Sequence, residues 1–487
     1  MEQLAFAHLV IDGEVKPAAS GQVFDNRTPW TGEVVGQAAD GGAEDVDAAI
    51  QAARRAFDDT DWSVNRDKRF EVLTRLQEIM MANRDRFMTV ARVEAGATVG
   101  AACMAHVDGA LNAMNDLMGC FDDVQWEEDA GSKETYGFTT HRKIYHEAVG
   151  VVGAITPWNV PLYVNLEKVF CALMAGCTMI LKPAPDTPYS ASLLGELALE
   201  AGVPPGVLNV VTSQDPALAG QMLVDDARVD AISFTGSTAI GRLIMERGAA
   251  TMKRVFLELG GKSANIILED APNFAESVAR GMAVMHAGQG CAMATRMLVH
   301  RSRYEEACHI LKAAYENFSQ NWGEFDAPSQ VMGPVISKKQ LDRVKSYIDI
   351  GVEEGARLLH GGNLAPYKGD GYFVEPTCFV DVTNDMRIAR EEIFGPVLCV
   401  IPFDDDEDAI RIANDSEYGL AGAVTTADLD RGIRIAKRIR AGNISVNGGM
   451  MITGDLPFGG YKASGIGRAW GREGVEDFLE TKVIAHT

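Results

Sequence analysis

The sequence predicts an α/β protein with two parallel-sheet domains and a small β hairpin that belongs to neither. Three features carry that reading. From Val149 on, continuous apolar or β-branched runs alternate with helical stretches, the texture of buried parallel strands joined by helices. A second α/β pattern occupies roughly residues 261–460. Residues 126–146 alternate charged and polar positions with the aromatics Tyr136, Phe138 and Tyr145, as expected of a solvated hairpin.

Taken in order, the chain from Glu44 reads as an amphipathic helix, with Val46, Ile50, Ala53 and Phe57 on one face and Asp47, Arg54 and Arg55 elsewhere. Helical periodicity continues through 70–94, and both stretches read as scaffold. Strands are predicted over 149–155, 178–181, 207–211, 231–234 and 264–268. Helices over 190–201 and 240–249 lie between them, which makes the pattern doubly wound. Ligands of such sheets bind beyond the carboxyl ends of the strands, where Asn159, Lys182 and Gly236 fall. The second pattern carries Cys291 and Glu392, so groups from two domains would meet in the crevice between them.

A chain of 487 residues suggests two to three domains and permits a large core. A formal charge of −23 argues against nucleic-acid and anionic-membrane partners, which need basic patches. It does not exclude an anionic cofactor, because a helix N-terminus and a local Lys can hold phosphate. The first residues have neither a basic region nor a long apolar one, and the longest apolar run, 169–181, is short of a membrane span. A cytoplasmic protein is the expectation. The eight cysteines show no zinc-type spacing, so reduced thiols and no metal are expected.

Chemistry concentrates at two places. Cys291 lies in His286-Ala287-Gly288-Gln289-Gly290-Cys291-Ala292, and Glu258 in Leu257-Glu258-Leu259-Gly260-Gly261-Lys262. A thiol that can act as nucleophile and a carboxylate that can act as base each sit among small residues that let a ligand approach. Alone, such a Cys is usually a small core hydrophobe, and such a Glu a solvated turn carboxylate. Their company singles them out: Thr156-Pro157-Trp158-Asn159-Val160-Pro161, Ile180-Leu181-Lys182-Pro183, Phe234-Thr235-Gly236-Ser237-Thr238, Glu391-Glu392-Ile393-Phe394-Gly395-Pro396 and Pro457-Phe458-Gly459-Gly460-Tyr461-Lys462. In this order the segments resemble the aldehyde dehydrogenase superfamily of NAD(P)-dependent, cysteine-based oxidoreductases. The resemblance runs from the turn at 26–32 to the C-terminal tail.

The resemblance implies a Rossmann-like cofactor domain (1–124 and 149–257), an α/β catalytic domain (258–462) and an oligomerisation segment (125–148 and 479–487) that builds a homodimer or homotetramer. It implies Cys291 as nucleophile, with its own N–H and the Asn159 amide as oxyanion donors, Glu258 as the base for hydrolysis, and Lys168 in the catalytic set. NAD, or NADP, would be held by Ile155, Thr156, Pro157, Trp158, Lys182, Pro185, Phe234, Gly236, Ser237, Leu259, Glu392 and Phe394. A substrate tunnel would be lined by Val160, Tyr163, Val164, Glu167, Met293, Met451 and Phe458, which suits a mostly apolar aldehyde of moderate size.

Two departures bear on this. Many NAD-preferring relatives carry a Glu three positions after the Lys; here Pro185 stands there, which removes the repulsion of a 2′-phosphate and leaves Asp186 as an alternative ribose partner. Glu167 is a charge where relatives often have an aromatic residue. Two rival readings remain on the same scaffold. A coenzyme A-acylating semialdehyde dehydrogenase often lacks the base, and a catalytically silent protein would have lost Cys291, Glu258 or Asn159.

Overall fold

The computed structural model describes residues 2–487. Its first sheet has eight strands, of which the central run, Arg254–Glu258, Ala231–Thr235, Val151–Ile155, Thr178–Lys182 and Leu208–Val210, is parallel throughout. The antiparallel strand Gly465–Ile466 borders one edge, and Leu9–Ile11 followed by Glu14–Lys16 borders the other. Val151–Ile155, Thr178–Lys182 and Ala231–Thr235 are buried at every position, which explains their continuous apolar runs. From Val151–Ile155 the chain adds strands on one side, then returns to place Ala231–Thr235 on the other. That reversal opens a crevice at the carboxyl ends of these two strands.

The predicted elements are present with small shifts of boundary. The helices expected over 190–201 and 240–249 are Tyr189–Glu200 and Thr238–Gly248. The periodic stretch 70–94 is two helices, Arg66–Ala82 and Arg84–Glu94, divided at Asn83. The apolar run 169–181 is the end of the central helix Pro161–Ala175 and the start of the strand Thr178–Lys182, separated by Gly176 in a left-handed cap at φ 97°. Among the described residues no helix is long and apolar enough to cross a membrane.

The second sheet runs Arg357–His360, Thr377–Val380, Val397–Phe403, Arg296–His300, Ala264–Ile267, Ala421–Thr425, Asn443–Val446, parallel except for its Arg357–His360 edge. Each sheet has its own apolar core. The chain then leaves the second sheet. Gly465–Ile466 pairs beside Glu258, and the helix Gly471–Glu476 packs on Pro161–Ala175, so residues 463–478, outside the expected domain limits, belong with the first sheet. Glu258 itself closes a first-sheet strand. A third sheet joins Glu127–Thr135, Phe138–Ala148 and the tail Leu479–His486, which pairs with the excursion of its own chain. Tyr136, Phe138, Val483 and Ile484 are exposed on it.

Candidate active site

Cys291 follows a turn of unusual backbone. His286, Ala287 and Gly288 are successively left-handed, at φ 45°, 52° and 73°. For the two residues with a Cβ this costs on the order of 1–3 kcal/mol each, so the surroundings must hold them. His286 N donates to Val331 O at 2.7 Å, and Ile336 N donates to Gln289 Oε1 at 2.9 Å. The His286 ring meets the buried His106 ring edge to face, centroids 4.3 Å apart. Gly288 is required by space as well as by φ: a Cβ there would lie 2.0 Å from Gly395 O. Gly261 has the same function on the other side, since its Cβ would lie 2.6 Å from Cys291 O.

The turn brings Cys291 out of the second half of the chain to pack against the core of the first. There it lies near Glu258, whose charge acts on the thiol and whose carboxyl is buried at the end of its strand with Oε1 lacking a hydrogen-bond partner. Burial pushes the pKa values of both groups up. The Glu258 charge adds to the rise at Cys291, and Glu167 adds to the rise at Glu258. Each group therefore holds its own proton more tightly than usual. Asn159, between the strand Val151–Ile155 and Pro161 at the first turn of the next helix, donates Nδ2 to Gln289 O at 3.0 Å. An amide nitrogen carries two hydrogens, so one donor remains. Lys168, on the same helix, donates to Ser233 Oγ at 3.0 Å and lies 3.5 Å from Glu167 Oε1.

Along the first sheet the carboxyl strand ends present groups that fit an anionic, hydroxyl-rich ligand. Lys182 closes its strand, 2% exposed, with burial lowering its pKa to about 8 against the raising charges of Asp215 and Asp186. The Thr156 and Thr235 hydroxyls are buried without partners. After Ala231–Thr235, Gly236 N donates to Glu258 O at 3.0 Å, and Ser237 caps the helix Thr238–Gly248 through Ile240 N at 3.4 Å. This leaves a helix N-terminus beside the crevice, a ready phosphate site. Ile155, Phe234 and Leu259 form the apolar floor, and Pro185 and Asp186 are half-buried next to Lys182. From the second half, Glu392 Oε1 accepts from Gly261 N at 3.0 Å. Phe394, left-handed at φ 60°, meets Trp158 edge to face at 5.3 Å, and Pro157 lies half-buried beside it.

The aldehyde dehydrogenase family model matches residues 15–484. The chain belongs to the aldehyde dehydrogenase family. A 3-succinoylsemialdehyde-pyridine dehydrogenase of a Pseudomonas species is 41% identical, with 98% of each chain covered. Among solved structures, a Mycobacterium tuberculosis aldehyde dehydrogenase complexed with NAD+ superimposes with a TM-score of 0.94 at 42% identity, covering 99% of this chain and 98% of that one. A cysteine-to-alanine mutant of a Pseudomonas syringae aldehyde dehydrogenase, complexed with NAD+ and octanal, does so with a TM-score of 0.89 at 38% identity, covering 98% and 96%. This aldehyde dehydrogenase is accordingly an oxidoreductase of mixed α/β fold.

In this aldehyde dehydrogenase Phe458 belongs to the apolar cluster against which Cys291, Tyr163 and Ile452 are half-buried, and Val164 is buried on the same helix as Tyr163. Tyr163 meets Trp470 edge to face at 5.2 Å, and its hydroxyl lacks a partner. Val160 and Met451 are half-buried. Two of the tunnel candidates border hollows of their own. Glu167 is buried beside Lys168 and lines an internal cavity with Glu258, because its position on the helix turns it toward the sheet. Met293 packs on the second-sheet core and opens to a separate cleft with Asn265, Pro272 and Asn447, because the chain after Cys291 turns back into the strand Arg296–His300.

Several site residues carried no local signal. His106, Ser233, Asp215 and Trp470 become part of the aldehyde dehydrogenase site only by contact. Asp215 reads locally as a helix cap, accepting from Ala217 N and Leu218 N, yet its charge acts on Lys182. Gln289 was legible only as a neighbour of the cysteine.

Proposed function

We propose that this aldehyde dehydrogenase converts a mostly apolar aldehyde to the carboxylic acid through a thioester on Cys291. The observation that carries the reading is the nearness of the Cys291 thiol to the buried Glu258 carboxyl, whose charge acts on it, with the spare Asn159 donor close to the turn. Cys291 Sγ adds to the aldehyde carbon while its proton passes to Glu258, because the half-buried thiol, with its pKa raised, holds its proton until the new bond forms. The Cys291 N–H and the free Asn159 N–H donate to the oxyanion, each worth about 3 kcal/mol. When bound, the nicotinamide dinucleotide supplies the hydride acceptor. Glu258 releases that first proton to solvent and, again a carboxylate, takes one from water as it adds to the thioester; the carbon–sulfur bond breaks, the sulfur recovers the proton from Glu258, and the acid leaves.

NAD+ is the first expectation for the dinucleotide, supported by the two NAD+ complexes among the neighbours, while Pro185 leaves room for a 2′-phosphate. The apolar residues around the thiol, and the octanal held by the Pseudomonas syringae protein, support an apolar substrate. The exposed apolar residues of the third sheet support its use between subunits of a homodimer or homotetramer. Eight free thiols support a reducing, cytoplasmic setting.

The test is rapid-quench mass spectrometry during turnover, with products analysed in the presence and absence of coenzyme A. An acyl adduct on the Cys291 peptide and free acid in both mixtures are expected. A product that appears only as the coenzyme A thioester would overturn the hydrolytic outcome.

A further inference from the structure

We infer that Lys262 and Ser263 hold a small monovalent anion of the halide class, in a cavity at the segment that joins the two sheets.

The first-sheet strand ends at Glu258 and the second-sheet strand begins at Ala264, so residues 259–263 are the whole link. It has little freedom. Gly261 N donates to Glu392 Oε1 at 3.0 Å, and a Cβ on Gly261 would lie 2.6 Å from Cys291 O. Lys262 is carried into the interior, 2% exposed, and its ammonium has no hydrogen-bond partner among the described residues. The Ser263 hydroxyl is buried and unpartnered as well. Arg296, 1% exposed, lies next to them, its guanidinium bonded to four neutral oxygens: Lys262 O at 2.9 Å, Asn384 Oδ1 at 2.8 Å, Ile412 O at 2.9 Å and Ala413 O at 3.0 Å. The acids whose charge reaches these two cations are engaged elsewhere: Asp415 with Arg390 at 2.9 Å, Glu391 with Arg387 at 2.7 Å, and Glu392 with Gly261 N. An uncompensated buried charge is among the least favourable arrangements a protein interior can hold. Burial is the main cause that lowers the Lys262 pKa, and the Arg296 charge adds to it against the raising effect of Cys399 and the two glutamates. A counter-ion removes the conflict.

The space for one is present. Lys262, Ser263, Arg296 and the exposed Arg440 line a cavity of about 10 Å³, completed by Tyr418 and by apolar or glycine residues. In a chain of formal charge −23, a wall with three cations and no carboxylate selects for negative charge. The volume admits one body near the size of a water molecule, which excludes phosphate and organic acids. A monatomic anion and water are left, and the uncompensated charge decides for the anion. Bound there, it accepts from Lys262 Nζ and Ser263 Oγ, keeps the ammonium charged and fixes the link between Glu258 and the second sheet.

The experiment is thermal unfolding of the full-length enzyme in sodium gluconate, with sodium bromide replacing it stepwise at constant ionic strength, together with anomalous diffraction from bromide-soaked crystals. We expect a saturable rise of the midpoint by about 2 °C or more, and a bromide peak within hydrogen-bonding reach of Lys262 Nζ. Lys262→Met should unfold at or above the wild-type midpoint in gluconate, because the unpaired charge is gone, and should lose the bromide response. If that variant does not fold, Ser263→Ala decides: its bromide titration should move to higher concentration by about threefold or more, and an unmoved titration would overturn the inference. A midpoint that does not change, a rise that does not saturate or that persists in Lys262→Met, or a water at the site in bromide-soaked crystals would overturn it as well. A bromide peak without the saturable response would mean an adventitious ion only, and would count against the site.

Discussion

The turn that carries Cys291 and the loop that opens the helix Thr238–Gly248 both border the crevice between the two sheets, and they are built in opposite ways. The helix opening is local: a strand ends, Ser237 caps the next helix, and the exposed N–H groups follow from that geometry. The Cys291 turn is not local. Its left-handed residues are held by Val331, Ile336, Asn159 and the close approach of Gly395, all far away in the chain. A site for binding can rest on ordinary secondary structure, whereas a site that must hold one sulfur atom in one place needs strain opposed from several directions.

That contrast can be broken, starting with the thiol. Cys291→Ala should lower kcat by on the order of 10⁴-fold while dinucleotide titration stays unchanged; retained turnover would remove the sulfur from its role. Gly288→Ala forces a Cβ to within 2.0 Å of Gly395 O, in a left-handed backbone. It should cost about 3 kcal/mol or more in urea unfolding and abolish most activity, and a neutral result would mean the turn is not under the constraint described.

Glu258→Gln should leave the first hydride burst and slow the steady state by roughly 10²–10³-fold. The active form is the carboxylate, and burial with neighbouring charge raises its pKa. Steady-state acid formation should therefore rise with pH, with a midpoint above the usual carboxylate range. The Gln variant should lose that limb.

On the binding side the effects are smaller. Lys182→Met should weaken dinucleotide binding about tenfold by calorimetry. The ammonium is the binding form and its pKa is lowered to about 8, so wild-type affinity should decline as pH rises through that value. Ser237→Ala, which removes a helix cap, should cost only about 1 kcal/mol of stability. If it matched Gly288→Ala in severity, the distinction between the two loops would fail.

Much of this was legible beforehand for identifiable reasons. Val151–Ile155 and Ala231–Thr235 announced themselves as apolar runs because both faces of a central parallel strand are buried. Cys291, Glu258 and Asn159 stood out because small residues and prolines around them restrict the backbone. The hollows that Glu167 and Met293 border were not legible, because a helix or loop position does not say which of two neighbouring cavities a side chain enters. The partners of the strained turn were invisible, since His106, Val331 and Gly395 lie at unrelated places in the chain.

By itself the sequence determined two parallel sheets, strand ends suited to a ligand, and a thiol and a carboxylate as the candidate reactive pair, because periodicity, burial pattern and small-residue motifs are properties of short segments. Tertiary structure alone decided that Glu167 and Glu258 line one cavity, that Met293 borders a cleft with Asn265 and Asn447, and that three left-handed residues can persist before Cys291. Those outcomes depend on contacts between distant segments, where packing and the balance of strain against hydrogen bonds are set.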